Sequence, residues 1–109
     1  MHTHMNKRLQ MLEKLVAGGS SDPFHHYALA LEYKSAGETE LALERFRLLR
    51  EGHPTYLPTY LIAGSLLAGL DRDAEARPWF EQGIEVARSQ GNDKALGELE
   101  EALADLGDD

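Results

Sequence analysis

The chain is 109 residues long, a length that supports one domain and buries roughly two-thirds of the extended chain's surface. It has no cysteine, which excludes a disulfide framework and a thiolate metal site. With 11 Lys and Arg against 19 Asp and Glu, and no apolar run near the roughly 18 residues of a membrane span, neither nucleic acid nor a membrane is an expected partner.

No signal-peptide pattern opens the chain, so a cytoplasmic location is expected. Residues 1–5, Met1-His2-Thr3-His4-Met5, read as a short tag, with Met5 as a natural start. A first helix is expected over 6–17, with Leu9, Leu12, Leu15 and Val16 on one face. Gly18-Gly19 stops it. Asp22 is a good N-cap for a second helix, and Pro23 at the first helical position gives up no needed hydrogen bond. That helix runs to about 36, ended by Gly37, which takes the left-handed conformation readily. Thr39 is the expected cap of a third helix reaching about 51, before Gly52-His53-Pro54. Pro58 opens a fourth. Asp73 is the expected cap of a fifth helix ending near 90. Pro78 falls inside it and removes the amide that would bond the Ala74 carbonyl, so a distorted first turn or a shifted cap is expected. Gly91-Asn92 breaks the chain before a last helix over 93–106.

Residues 26 to 54 form a ladder: His26-x-x-Leu29-Ala30-x-x-Tyr33, then Gly37, Ala42, Phe46 and Pro54. The ladder resembles the tetratricopeptide repeat signature, in which an aromatic, a Leu-Gly pair and a Tyr precede an Ala, a Phe and a closing Pro within about 34 residues. His26 stands where Trp is usual, and Ala30 replaces Gly. One repeat further on come Tyr60, Ala63, Gly64, Leu67, Asp71, Ala76, Phe80 and Arg88. This second copy keeps the aromatic, small, apolar, Ala and Phe slots and loses the turn Gly and closing Pro. The resemblance covers residues 23 to 90.

It implies an all-α fold: antiparallel helix-turn-helix repeats stacked as a short right-handed α-solenoid of about six helices. The expected organisation is one domain over 6–109, with a leading helix in 6–18, repeats at 23–56 and 57–90, and a capping helix at 93–106. Within each repeat Ala30 or Gly64 on the first (A) helix and Ala42 or Ala76 on the second (B) helix keep the seam narrow. Phe46 and Phe80 are expected to fill the gap between one repeat and the next, with Tyr33 and Leu67 closing the adjacent layer. Phe46 and Leu49 stepped back by one repeat fall on Leu12 and Leu15, so the first helix reads as a lone B helix. The last helix carries Leu96, Leu99, Leu103 and Leu106 as one stripe. Residues 93 to 109 hold seven acids and one base, Lys94, which suits a solvated cap or, in a sharper reading, an electrostatic hook for a basic partner.

No catalytic, metal or cofactor motif emerges, and an enzyme is not expected. The histidines offer no His-Glu-x-x-His pair, and no Gly-rich phosphate loop precedes a helix. His25 and His26 are adjacent and point about 100° apart on a helix. His26, in the aromatic slot, is expected to be a half-buried structural residue, and His53 a solvated one. The serines, Ser20 among them, show no evident His-acid partner. Trp79 occupies the slot of Arg45 and either packs beneath the last helix or stands exposed as an interface anchor. Tyr56 is expected to pack between repeats.

By the resemblance, A helices line a concave face. Its slots hold Phe24, Tyr27, Leu31 and Lys34 in the first repeat, and Pro58, Leu61, Ser65 and Ala68 in the second. Family members that hold the acidic tails of heat-shock chaperones place a clamp of Lys, Asn and Arg here. Tyr27, Leu31, Leu61 and Ile62 replace it, so that clamp is absent. The expected function is a non-catalytic adaptor binding an apolar or amphipathic peptide segment of a protein partner in this groove. The alternative is a self-associating scaffold whose groove face makes a homodimer.

Overall fold

The computed structural model describes residues 6–107; the tag-like start at Met1–Met5 lies outside the described residues. Six α-helices and no strand occur among them: α1 (Lys7–Ala17), α2 (Pro23–Ser35), α3 (Thr39–Gly52), α4 (Pro58–Gly69), α5 (Asp73–Gln90) and α6 (Asp93–Ala104). The chain divides between Pro54 and Thr55 into two compact units.

In the first unit α1 packs on α2, and α2 on α3. Asn6 caps α1 by accepting from the Leu9 amide, so the helix starts one residue later than expected. Leu12 is buried with Ala28 and Leu29, and Leu9, Val16 and Tyr33 pack against this cluster. Leu12 is thus turned to the helix that follows it in the chain, whereas Phe46 meets Tyr27 of the helix that precedes α3. Leu15 does not follow: it is 38% exposed, although the expected face included it. The Tyr33 hydroxyl donates to Glu13 Oε2 at 2.6 Å, and burial together with that carboxylate pushes its pKa above the ordinary 10.0. Asp22 caps α2 through the Phe24 amide at 2.9 Å, with Pro23 in the first turn as expected.

The turn from α2 to α3 closes with two bonds, Gly37 N–H to Lys34 O at 3.1 Å and Glu38 N–H to Tyr33 O at 2.9 Å. Gly37 has φ 79°, the left-handed conformation that lets a helix end in this pattern. Thr39 is not the cap. Three residues, Ala36, Gly37 and Glu38, link the helices; the first helical carbonyl is that of Glu38, which accepts from Ala42 N–H at 2.9 Å, and no side chain caps α3.

In the second unit α4 packs on α5, α5 on α6, and α4 more lightly on α6. The α4–α5 turn repeats the first bond for bond: Asp71 N–H to Ala68 O at 3.0 Å and Arg72 N–H to Leu67 O at 2.9 Å. Asp71 takes φ 61°, so the conformation survives the loss of glycine. Asp73 is the first residue of α5 rather than its cap, and its carboxylate accepts from the Gly107 amide at 3.0 Å. Pro78 sits inside α5, which nevertheless runs unbroken for 18 residues, although proline has no amide to offer the Ala74 carbonyl. Asn92 caps α6 through the Ala95 amide at 3.0 Å, and α6 ends at Ala104, two residues short of the expected 106.

Candidate functional site

Small residues set how closely these helices approach. Ala30, Ala42, Ala63 and Ala76 are all fully buried, as are Phe46 and Phe80. A Cβ at Gly64 would lie 2.7 Å from Phe80 Cδ1, so the Phe80 ring fills the space the missing side chain leaves on α4. Phe80 thus packs within its own helix pair, against the seam, which the sequence reading reserved for small residues. Gly83, on α5, also allows a close approach. A Cβ there would lie 2.6 Å from Tyr60 Cβ and 2.9 Å from Leu99 Cδ2. The repeat ladder assigns no role to position 83, and a lone glycine inside a helical pattern was the only signal available. Trp79 is buried, 5% exposed, with its ring centroid 6.2 Å from that of Tyr60. The exposed-anchor reading of Trp79 is therefore excluded, and its ring stands against α4. Tyr56 is half-buried.

With those residues turned inward, a different face of each A helix is left toward solvent. On α2 it holds Phe24, Tyr27, Leu31 and Lys34, at helical spacings of three, four and three. Phe24 is 52% exposed, Tyr27 and Leu31 are half-buried, and Lys34 is exposed. The Tyr27 ring leans on Phe46 with centroids 6.4 Å apart, which fixes its orientation from beneath. On α4 the same slots hold Pro58, Leu61, Ser65 and Ala68; Leu61 and Ala68 are half-buried, and Pro58 and Ser65 exposed. Each face is apolar at its centre. Neither carries the cluster of cations that would hold a carboxylate-rich tail.

A second cluster gathers at the start of α2. Ser20 Oγ lies 2.7 Å from His25 Nδ1, and Asp22 Oδ2 lies 3.9 Å from His25 Nε2. The sequence reading found no His-acid partner for Ser20, and the structure supplies one. The geometry serves capping rather than nucleophilic attack. Ser20 Oγ accepts the Asp22 amide at 3.2 Å, Asp22 accepts the Phe24 amide, and the carboxylate stops beyond hydrogen-bond reach of the ring. His26 Nε2–H donates to the Ser20 carbonyl at 2.8 Å, as a half-buried structural histidine would. His53 departs from expectation: it is half-buried, its ring 6.0 Å from that of His26. The fold brings the residue before Pro54 back over the start of α2. Among the described residues no group of three or more His, Asp or Glu could hold a metal ion, and no helix is long and apolar enough to cross a membrane.

Two helix-turn-helix pairs with one turn geometry and one small-residue seam, preceded and followed in the chain by single helices, define a helical-repeat protein. No protein-family model matches the sequence. The crystal structure of a tetratricopeptide repeat domain protein from Salinibacter ruber is 43% identical, covering 76% of this chain and 93% of that one, with a TM-score of 0.71. A solution structure of a protein from Bordetella parapertussis is 26% identical with a TM-score of 0.75, covering 97% of this chain and 89% of that one. A TPR repeat-containing protein of Pseudomonas aeruginosa is 29% identical over 91 residues, 84% of this chain and 87% of the relative. The chain belongs to the tetratricopeptide repeat family, a family of protein–protein interaction modules.

Proposed function

We infer that the chain is an adaptor that binds an apolar or amphipathic segment of a protein partner on the open faces of its A helices. The observation that carries this reading is the α2 face. Phe24 stands 52% exposed at the start of a row that continues through Tyr27 and Leu31, with Tyr27 held from below by Phe46. A large aromatic held in one orientation loses little entropy on binding, and such residues dominate interface energies. Lys34 at the rim adds orientation more than affinity. Leu61 and Ser65 offer an equivalent apolar-centred face on α4. A cytoplasmic location belongs to the same reading.

Selection from a displayed peptide library tests it. The peptides recovered should carry apolar residues at helical or alternate spacing, and their binding should weaken little between low and physiological salt. Phe24→Ala and Leu31→Ala should each lower affinity about tenfold or more, by roughly 1.4 kcal/mol. These two are cleaner than Tyr27→Ala, which also uncovers Phe46. Leu61→Ala tests the α4 face separately. Selected peptides that are basic and released by moderate salt would move the site to the acidic α6. A concentration-dependent mass lost in Phe24→Ala would make a second copy the occupant of this face.

A further inference from the structure

The outer side of α3 carries a surface that its seam does not use. Leu41, Arg45 and Leu48 follow one another at spacings of four and three, so they fall within about 60° around the helix and span about 10 Å along it. Leu41 is 48% and Leu48 42% exposed, and Arg45 between them is half-buried. One repeat step on, about 34 residues, the same slots of α5 hold Glu75, Trp79 and Gln82. There the two flanking residues are polar and exposed, and the central one is buried. The flanking slots therefore face water in α5 and are filled there without apolar side chains. In α3 they hold leucines, whose open surface the helix pair leaves uncovered.

Arg45 says what fits between them. Arg8, Arg47, Arg72 and Arg88 are each tied to a carboxylate, and Arg77 donates to the Gly107 carbonyl. Among the described residues no carboxylate or carbonyl takes the Arg45 guanidinium. It lines a cleft of about 360 Å³ shared with Glu13, Val16 and Ala17 of α1 and with Leu29 and Tyr33 of α2. The acids close by are turned to other groups. Glu13 accepts from the Tyr33 hydroxyl, and Glu44 pairs with Arg47. Glu38 is exposed at the turn, where its charge reaches the Tyr33 hydroxyl. A half-buried guanidinium has given up part of its hydration, and its planar fork offers two parallel hydrogen bonds to an incoming carboxylate. We propose that this face of α3 docks an amphipathic segment of a protein partner, with an Asp or Glu of that segment on Arg45 and apolar residues on Leu41 and Leu48. The leucines carry the surface beyond the cleft at both ends, which suits a stretch of chain better than a small free acid. The site lies on a B helix and does not rest on the A-helix faces.

Selection from a displayed peptide library on the full chain, followed by binding of each recovered peptide to variants, tests the proposal. One class of peptides should carry an Asp or Glu with apolar residues three and four positions away on either side. For that class Arg45→Gln should lower affinity about tenfold or more, and so should the double change Leu41→Ser, Leu48→Ser. Phe24→Ala should leave it unchanged. Arg45→Glu should reject these peptides and accept versions in which their acid is replaced by Lys. Circular dichroism should show the two-serine variant folded like the parent, so the leucines remain a test even where a change at Arg45 lowers stability. The proposal is overturned if no such class is recovered, or if its binding ignores Arg45 or the two leucines. Binding lost in Phe24→Ala also overturns it and returns the peptides to the A-helix face. A mass that rises with concentration and falls in the two-serine variant overturns it as well, making a second copy the occupant.

Discussion

The helix pairs α2–α3 and α4–α5 reach the same turn and the same close seam with different residues, and the differences fall where backbone and packing meet. At the turn, Gly37 in the first pair and Asp71 in the second both take positive φ and close the same two hydrogen bonds. At the seam, the first pair tolerates the methyl of Ala30, while the second leaves no room for one at Gly64, because the Phe80 ring occupies it. A repeat is thus held by a geometry rather than by one residue. Aspartate substitutes at the turn because its short polar side chain tolerates the left-handed region better than most. The seam admits either glycine or alanine, but only with a neighbouring ring placed to match.

The largest break comes from removing the rings. Phe46→Ala and Phe80→Ala should each cost about 3–5 kcal/mol, since both side chains are fully buried; denaturant melts read this directly. A Phe80→Ala variant that melts like the parent would undo the packing assigned to Gly64. Next, Gly64→Ala should destabilise by about 1–3 kcal/mol through overpacking against Phe80, even though alanine raises helix propensity by about 1 kcal/mol. The reverse change, Ala30→Gly, should cost about 1 kcal/mol, mainly in propensity. Unequal effects of these matched substitutions would show that the two seams are packed differently.

Thr59 on α4 supplies a third test. It is fully buried, and its hydroxyl has no hydrogen-bond partner among the described residues. Thr59→Val keeps the branched shape and removes a desolvated hydroxyl, so stability should rise by about 1 kcal/mol. A clear fall would mean that the hydroxyl is satisfied. The turns can be exchanged last. Asp71→Gly should stabilise and Gly37→Asp destabilise, each by about 1 kcal/mol, because only the side chain in the left-handed region changes. The smallest effect is expected from Tyr33→Phe, read in alkaline solution. The folded protein raises the pKa of Tyr33 above 10.0, so it favours the neutral phenol. That contribution is complete below the unfolded value and is lost as pH rises through the higher folded value. The variant should lose part of the decline in stability above pH 10.0.

What the sequence showed most directly was local. Asp22-Pro23 and Pro58 mark helix starts through their own backbone chemistry, and Gly37 and Gly91-Asn92 mark helix ends. The alternation of Ala30, Ala42 and Phe46 with Gly64, Ala76 and Phe80 located the paired helices, because a close seam needs small residues at fixed helical spacing. Cap positions were less legible. Thr39 and Asp73 have good capping side chains, but the three-residue turn before each already fixes where the helix begins. The faces on α2 and α4 were implied by the repeat resemblance rather than by spacing, and Phe24, Lys34 and Ser65 are exposed there. What those faces bind is not written in the spacing.

The amino-acid sequence by itself determined six helices, their turns and the small residues at their seams, because propensity, capping and periodicity act within a few residues of one another. Tertiary structure alone decided which side chains in equivalent slots are covered. Trp79 is buried with Tyr60 lying against it, whereas Met11, two repeat steps back, is 51% exposed. Gly83 became a contact point only when Tyr60 and Leu99 met there, and His53 left solvent only when it reached His26. Such outcomes depend on a partner many residues away, and burial belongs to the pair of surfaces rather than to either segment of chain.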